Sequence, residues 1–284
     1  MIQIGKTNQL TVLRETSVGL YLGDQENSSI LLPKKYVLPE FRIGDTIDVF
    51  VYKDSEDRPI ATTLKPYAEI NQFAFLEVSQ VSAVGAFLDW GLEKDLFVPF
   101  KEQKFKMQPG RSYVVFVYLD EVTERIVASN KINKFINNEV LTVDVGDEVD
   151  LLVYDKTELG YNCIINAMHR GLIYHNEIYK DIQVGDNLKG YIKEIRPNNL
   201  IDLSLQKLGF KNVLSSTNLI LNYLSEHNGY LDLTDKSSPD LIERRFNMSK
   251  ATFKKSIGIL YRQRKVTLHD DGVRLVKTED EKAD

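Results

Sequence analysis

The sequence has a single cysteine and no hydrophobic run long enough to cross a membrane. Cys163 is the only cysteine among 284 residues, which excludes an intrachain disulfide and fits a reducing compartment. Because it lies in an apolar strand pattern, we expect Cys163 in the core. No apolar run approaches the roughly 20 residues of a spanning helix, and the first residues lack the features of a signal peptide. We therefore expect a cytoplasmic protein without membrane association.

Motifs that carry catalysis are also missing. The chain has no Gly-rich phosphate loop and no nucleophile elbow. It has four histidines, of which His169 and His175 are close in sequence, but no second ligand pair lies at metal-binding spacing. The carboxylates fall mostly at turns, where acids are common. We therefore expect no enzymatic activity, no metal ion and no cofactor.

Charge is distributed unevenly along the chain. The net charge is −5, which argues against a uniformly polycationic nucleic-acid binder. Residues 1–206 contain 22 basic and 30 acidic residues, whereas residues 207–277 contain 13 basic and 7 acidic residues. The chain therefore has an acidic front and a basic back, a charge asymmetry that any proposed function has to explain.

The most informative stretch is residues 81–99, VSAVGAFLDWGLEKDLFVP. It predicts three short strands, with Gly85 and Gly91 where the chain bends or turns. Similar segments occur before and after it, so residues 1–65, 68–130 and 140–206 each show five short strands with a two-residue period. Gly44 and Gly110 are 66 residues apart, which is one repeat. A period of this size indicates tandem small domains.

After about Val213 the hydrophobic period changes from two to 3.6 residues. Three helices are predicted, with residues 215–217 available as N-cap of the first and Ser249 as N-cap of the third. Asp271-Gly272 then predicts a hairpin. Helix, helix, turn, helix and hairpin is the order of a winged helix, and residues 278–284 are expected to form a disordered acidic tail.

The repeats resemble S1-type RNA-binding domains, which are five-stranded OB-fold barrels. The motifs that carry this resemblance are Gly85-Ala86-Phe87-Leu88, Gly171-Leu172-Ile173-Tyr174, Val184-Gly185-Asp186 and Asp202-Leu203-Ser204-Leu205. Three such units followed by a winged helix resemble the conserved virulence factor B family of bacterial RNA-binding proteins. The resemblance implies a mainly β protein with S1-like barrels at 1–66, 67–133 and 140–208, a winged helix at 212–277 and the tail at 278–284.

The resemblance also implies an RNA-binding surface on each barrel, built from aromatic rings that stack on bases and basic groups that neutralise phosphates. Val98 and Leu32 occupy the expected strand-three positions of units two and one. The predicted contacts are Tyr21, Arg58, Phe87, Asp120, Arg125, Tyr161, Tyr174 and Arg196.

Each of these residues also has a purely structural interpretation. An aromatic residue in a strand belongs to the core more often than to a stacking surface, and Trp90, Phe97 and Phe116 are expected to be packing residues. Arg58 and Arg125 could simply pair with Asp54 and Asp120 across a turn.

The winged-helix segment contains a basic cluster that suits phosphate contact and groove docking. It can equally be a solvated lysine-rich helix face, and winged helices also bind proteins. The candidate contacts are Arg244, Arg245, Lys250, Lys254, Lys255, Arg262, Arg264, Lys265 and Arg274.

Three functions are compatible with these patterns. The first is a non-enzymatic, single-stranded RNA-binding protein that regulates gene expression after transcription, with DNA, the ribosome or RNA-processing proteins as further partners and a monomeric state. The second is a DNA-binding transcription regulator that uses the winged helix, with the barrels as partner-binding modules. The third is a protein-interaction scaffold, which the acidic balance of residues 1–206 favours.

Overall fold

A computed structural model describes residues 2–23, 28–178, 181–207 and 210–276. The predicted acidic tail at 278–284 lies outside these residues. The chain divides into two compact units, one ending at Leu205 and the other beginning at Gln206. No helix in the described ranges is long and apolar enough to cross a membrane.

The first unit contains three closed barrels of five strands each, as predicted. In barrel one the neighbour order is β1-β2-β3-β5-β4, and β4 closes back onto β1. Only β3 and β5 pair in parallel. The strands are β1 (Thr7–Thr16), β2 (Gly19–Gly23), β3 (Ser29–Pro33), β4 (Thr46–Lys53) and β5 (Pro59–Thr62).

Barrel two repeats this arrangement, with β8 and β10 as its parallel pair. A short 3-10 turn, Phe100–Glu102, follows the third strand. The strands are β6 (Gln72–Val81), β7 (Gly85–Leu88), β8 (Leu96–Pro99), β9 (Ser112–Leu119) and β10 (Ile126–Ser129).

Barrel three has the same strand order, and β13 pairs in parallel with β15. Its second and third strands form a longer hairpin than in the other two barrels. The strands are β11 (Glu148–Lys156), β12 (Gly160–Ile165), β13 (His169–Tyr174), β14 (Asn187–Arg196) and β15 (Leu200–Ser204).

Strand alternation places the apolar residues of each barrel in its interior. In barrel two, Leu88, Leu96 and Val98 are almost completely buried. Cys163 is buried in the core of barrel three, as expected. Burial raises the pKa of its thiol to about 12, so the thiolate form is disfavoured at neutral pH.

Barrels one and two share packed side chains. Phe50 and Tyr52 of β4 belong to the same buried cluster as Trp90 and Leu96 of barrel two. The Trp90 ring meets the Phe50 ring edge-on at 5.7 Å, and its indole N–H donates to the Lys94 carbonyl over 2.6 Å. The prediction that Trp90 is a packing residue is confirmed.

Barrels two and three meet through a second apolar cluster. Val114 and Ile164 are buried together with Ile132 and Ile136 of the connecting segment. Phe116 stacks on Phe135 at 4.2 Å, which confirms its predicted packing role. The connecting segment, residues 131–139, is therefore attached to both barrels.

The second unit is a winged helix. Ser249 accepts a hydrogen bond from the Thr252 N–H, as its predicted N-cap role requires. The first helix begins at Phe210, so the prediction that residues 215–217 cap it is wrong. The elements are α1 (Phe210–Glu226), β16 (Tyr230–Leu231), α2 (Pro239–Phe246), α3 (Lys250–Arg262), β17 (Val266–His269) and β18 (Gly272–Leu275).

Candidate nucleic-acid interface

Two aromatic rings lie side by side on the outer face of barrel two. Phe87 of β7 and Phe97 of β8 are directly opposite each other in the antiparallel register. Both are half-buried, and their ring centroids are 5.1 Å apart. Bases stack on such rings with little demand on sequence, and the face formed by strands two and three is the one on which OB-folds bind oligonucleotides.

Phe97 was not expected on this surface. Val98 was predicted at the strand-three position of the surface, but Val98 is fully buried and Phe97 points outward. The same correction applies in barrel one, where Leu32 is fully buried and Leu31 lies opposite Tyr21. The register of the hairpin predicts these outward orientations, because the residue paired with the outward ring on strand two must itself point outward.

A cavity of ≈ 430 Å³ opens beside these two rings. Barrel one contributes Tyr52 and Lys53 to its lining, and barrel two adds Lys94 and Arg125. Aromatic rings with cations at the rim are groups that can hold a base and its phosphate.

The cations around this cavity are held by partners across the junction of barrels one and two. Arg125 pairs with Asp57 of barrel one rather than with Asp120, and this guanidinium lowers the pKa of the Asp57 carboxyl. Lys53 pairs with Glu124 over 3.0 Å. Lys94 donates to the carbonyls of Lys53 and Asp54 at 3.1 and 2.8 Å. These contacts fix the cavity walls.

Asp120 has a local structural role. Its carboxylate accepts hydrogen bonds from the N–H groups of Val122 and Thr123 and from the Thr123 hydroxyl. The Thr123 N–H bond is the largest of the causes that lower the pKa of Asp120. The residue holds the turn after β9.

Barrel one carries a single aromatic ring at the equivalent position. Tyr21 is half-buried on β2, and the Arg14 guanidinium lies 3.9 Å above its ring centroid. Arg58 pairs with Asp54 at 2.9 Å and with Glu56 at 2.8 Å. A base that stacked on Tyr21 would therefore replace or join Arg14. The two carboxylates partly neutralise the charge of Arg58.

Barrel three has no aromatic residue at this position. Gly19, Gly85 and Gly160 occupy the same place in the three barrels, and the second residue after each is Tyr21, Phe87 and Asn162. Tyr161, the residue predicted from the sequence, is only 9 % exposed and belongs to the core. Its assignment to the binding surface is corrected, because strand alternation turns it inward.

Tyr174 and Arg196 of barrel three are brought together. The Arg196 guanidinium lies 5.5 Å from the centre of the half-buried Tyr174 ring. It also donates through Nε to the buried Asp202 carboxylate at 2.8 Å. This cluster supplies one ring and one partly exposed cation.

Three of the nine candidate cations of the winged helix are paired with a carboxylate. Arg245 pairs with Asp232, Lys254 with Asp235 and Arg274 with Asp271. The other six of the nine candidate cations have no carboxylate within 4.0 Å among the residues described between 210 and 276. They are Arg244, Lys250, Lys255, Arg262, Arg264 and Lys265.

Helix α3 places part of this free charge along one side. Lys255 and Arg262 are seven residues apart and exposed, which puts them two turns apart on the same face. Arg264 and Lys265 follow directly in the turn that leads to β17. The surface can contact phosphates of a duplex or a single strand.

The histidines and acids form no metal site in the described parts of the chain, where no group of three potential ligands comes together. His169 is buried, and its two ring nitrogens are 2.8 Å from the Asn137 carbonyl and from the Thr142 hydroxyl. The His175 ring packs edge-on against Tyr161. Both rings are accounted for by packing and hydrogen bonding.

Three OB barrels joined to a winged helix define a multidomain protein built of nucleic-acid-binding domains. The family model of the S1 domain matches residues 4–64 and 72–131, which are barrels one and two. The model of the CvfB-like winged helix domain matches residues 218–275. The chain belongs to the conserved virulence factor B family.

Its relatives match over most of their length. Uncharacterized protein YitL of Bacillus subtilis is 27% identical over 273 residues, covering 92% of this chain and 90% of that protein. Conserved virulence factor B of Staphylococcus aureus strain N315 is 24% identical over 245 residues, covering 84% and 82%. A crystal structure of a multidomain protein with nucleic acid binding domains from Streptococcus pneumoniae is 24% identical, covers 96% and 98%, and has a TM-score of 0.41.

Proposed function

We propose that the protein is a non-enzymatic, cytoplasmic, single-stranded RNA-binding protein that regulates gene expression after transcription. The observation that carries this proposal is the pair of half-buried rings, Phe87 and Phe97, on the oligonucleotide-binding face of barrel two. Stacking on one ring is worth about 1–3 kcal/mol per base. Several weak subsites on one chain add through effective concentration, so modest contacts on each barrel suffice.

The charge pairing of the barrels favours stacking over phosphate contact. Arg58, Arg125 and Arg196 each bind a carboxylate, so these three predicted contacts would neutralise few phosphates. Affinity gained from stacking changes little with salt, whereas phosphate contacts weaken steeply as salt rises. The proposed RNA binding by the barrels is therefore only modestly dependent on salt.

Alanine substitution of the two rings tests the proposal. Phe87→Ala and Phe97→Ala should each weaken binding of a labelled single-stranded RNA by roughly 5- to 150-fold, measured by fluorescence anisotropy on the full chain. Val122→Ala is the matched control, because Val122 is 91% exposed on a turn of the same barrel. Adding Arg125→Ala to Phe87→Ala should weaken binding further.

Trp90 supplies a local signal in the same experiment. It is the only tryptophan of the chain and lines the cavity beside Phe87. Unchanged emission from the free variants would show that barrel two is still folded. RNA affinity that is unaltered in both phenylalanine variants would reject barrel two as a binding site.

A second candidate function is duplex DNA binding by the winged helix, as in a transcription regulator. It is favoured by the six candidate cations that have no carboxylate partner among the residues described between 210 and 276. It predicts that the full chain prefers duplex DNA to single-stranded RNA. It also predicts that Lys255→Ala weakens this binding while Phe87→Ala does not.

A further inference from the structure

The loop between the third and fourth strands of barrel two carries an exposed aromatic ring. Residues 104–106 are Lys-Phe-Lys and all three are exposed, with Phe105 at 65%. A lone exposed apolar side chain is ordinary on a protein surface.

The loop is anchored on both sides of the exposed ring. Gln103 is buried, and its amide donates to the Val98 carbonyl over 3.0 Å while its oxygen accepts from the Met107 N–H over 3.0 Å. Met107 is only 4 % exposed in the core of barrel two. A three-residue projection closed by a side-chain bridge holds Phe105 in place, which lowers the entropy cost of ordering it on binding.

The loop also reaches the binding face of barrel three. Lys104 pairs with Asp155 of β11 over 2.9 Å, and its ammonium lies 5.2 Å from the Phe105 ring centroid. The same Asp155 oxygen is 3.4 Å from the amide nitrogen of Asn162. Asn162 occupies the position at which barrels one and two carry Tyr21 and Phe87.

These contacts put an exposed aromatic ring close to the face of barrel three, which carries Asn162 where barrels one and two carry a strand-two ring. The ring centroid cannot be farther from the Asp155 carboxylate than the sum of the two distances through Lys104. Lys101, which precedes the projection, and Lys106, which is its last residue, are exposed and can approach phosphates of a bound strand.

We propose that Phe105, carried by the loop of barrel two, is the base-stacking ring for the RNA-binding face of barrel three. The ligand is a nucleobase of a single-stranded RNA, stacked on Phe105 and bordered by Asn162 and the Tyr174–Arg196 cluster. This inference rests on the proposed RNA-binding function. In this proposal barrels two and three form one composite surface, because Phe105 of barrel two supplies the stacking ring for the face of barrel three.

Three full-length variants test the assignment by anisotropy with a labelled single-stranded RNA. Phe105→Ala should weaken binding by roughly 5- to 150-fold, and Phe105→Trp should keep it. Asn162→Phe added to Phe105→Ala should recover affinity, because it restores a ring at the position used in the other barrels. Val122→Ala serves again as the exposed apolar control.

Each outcome is decisive. Unchanged affinity in Phe105→Ala overturns the proposal, and so does a loss that Asn162→Phe does not recover. Phe105→Trp adds a second readout, because an exposed indole that stacks on a base should be quenched when RNA binds. Absence of quenching with RNA bound also overturns it.

If Phe87→Ala weakens binding while Phe105→Ala does not, RNA binding stands and only this inference fails. Absence of RNA binding by the unaltered chain rejects both this inference and the proposed function.

Discussion

At the scale of single residues, three equivalent glycines decide whether the barrels close. A Cβ on Gly19, Gly85 or Gly160 would lie 2.1, 2.3 or 1.9 Å from a carbonyl oxygen of the neighbouring strand. Because backbone atoms cannot move away cheaply, only glycine fits where strand two starts. Tyr21, Phe87 and Asn162 each lie two residues after one of these glycines.

Gly160→Ala should therefore destabilise barrel three strongly. Its φ is +155° and its Cβ would overlap the Ile173 carbonyl, so we expect a loss of about 3–5 kcal/mol in the free energy of unfolding. Gly110→Ala is the matched control, because Gly110 has a φ of +73° but open space around the added Cβ, and should cost about 1–2 kcal/mol. Urea unfolding followed by circular dichroism measures both; equal losses would contradict the steric explanation.

Phe87 and Phe97 show how much the sequence could predict about single residues. The Gly-Ala-Phe motif identified Phe87 correctly as an outward ring, but Phe97 was taken for a packing residue. Its orientation follows from the register of β7 with β8, which a single strand of four residues does not reveal. Arg125 pairs with Asp57, 68 residues earlier, and such a contact between barrels has no local sequence signal.

At the scale of elements, the segment after β8 links the fold of barrel two to the exposed Phe105. Glu102 is buried at the end of the 3-10 turn and accepts hydrogen bonds from the Ser129 hydroxyl and the Lys134 ammonium, at 2.7 and 2.9 Å. Burial alone would raise the pKa of Glu102, but these two partners outweigh it and the pKa lies below its ordinary value. The carboxylate thus fastens the loop to β10 and to the linker.

This arrangement predicts a pH dependence of stability. Because the folded-state pKa of Glu102 is lowered, its stabilisation is complete above the unfolded pKa of about 4.3 and is lost as pH falls through the folded value. Glu102→Gln should cost about 1 kcal/mol at pH 7 and should reduce the loss of stability between about pH 5 and pH 3. Unfolding followed by Trp90 emission measures this, and an equally steep acid loss in the variant would contradict it.

The order of elements was predictable from sequence to a large extent. Period-two strands, repeated glycines and the Asp-Gly hairpin gave three barrels and a winged helix because each signal is local. Loops were not predictable at the same level. The exposure of Phe105 depends on the Gln103 bridge and on an ion pair with barrel three, and both require the folded structure.

At the scale of the whole molecule, the two units differ in the groups that they present for contact with a nucleic acid. The barrels present rings whose neighbouring arginines are paired, whereas the winged helix presents cations without carboxylate partners in the described residues. We expect contacts at the barrels to resist salt and contacts at the winged helix to depend on it.

Removing the charges of Lys255 and Arg262 on α3 should change the salt dependence of nucleic-acid binding. Lys255→Ala with Arg262→Ala should reduce the slope of log K against log salt by about 1.4–1.8 for a nucleic acid that contacts both residues. Lys236→Ala is the control, because this exposed lysine of the same domain already pairs with Asp270. A slope that is unchanged in the double variant, or reduced equally by Lys236→Ala, would contradict the assignment.

The measurement that tests the account most directly compares one labelled single-stranded RNA with a matched DNA duplex, by anisotropy of the full chain at two salt concentrations. Stacking on the barrels predicts that RNA binds more tightly than the duplex and loses little affinity as salt rises. Preference for the duplex with a steep salt slope would contradict RNA binding by the barrels and would place the principal contact on the winged helix.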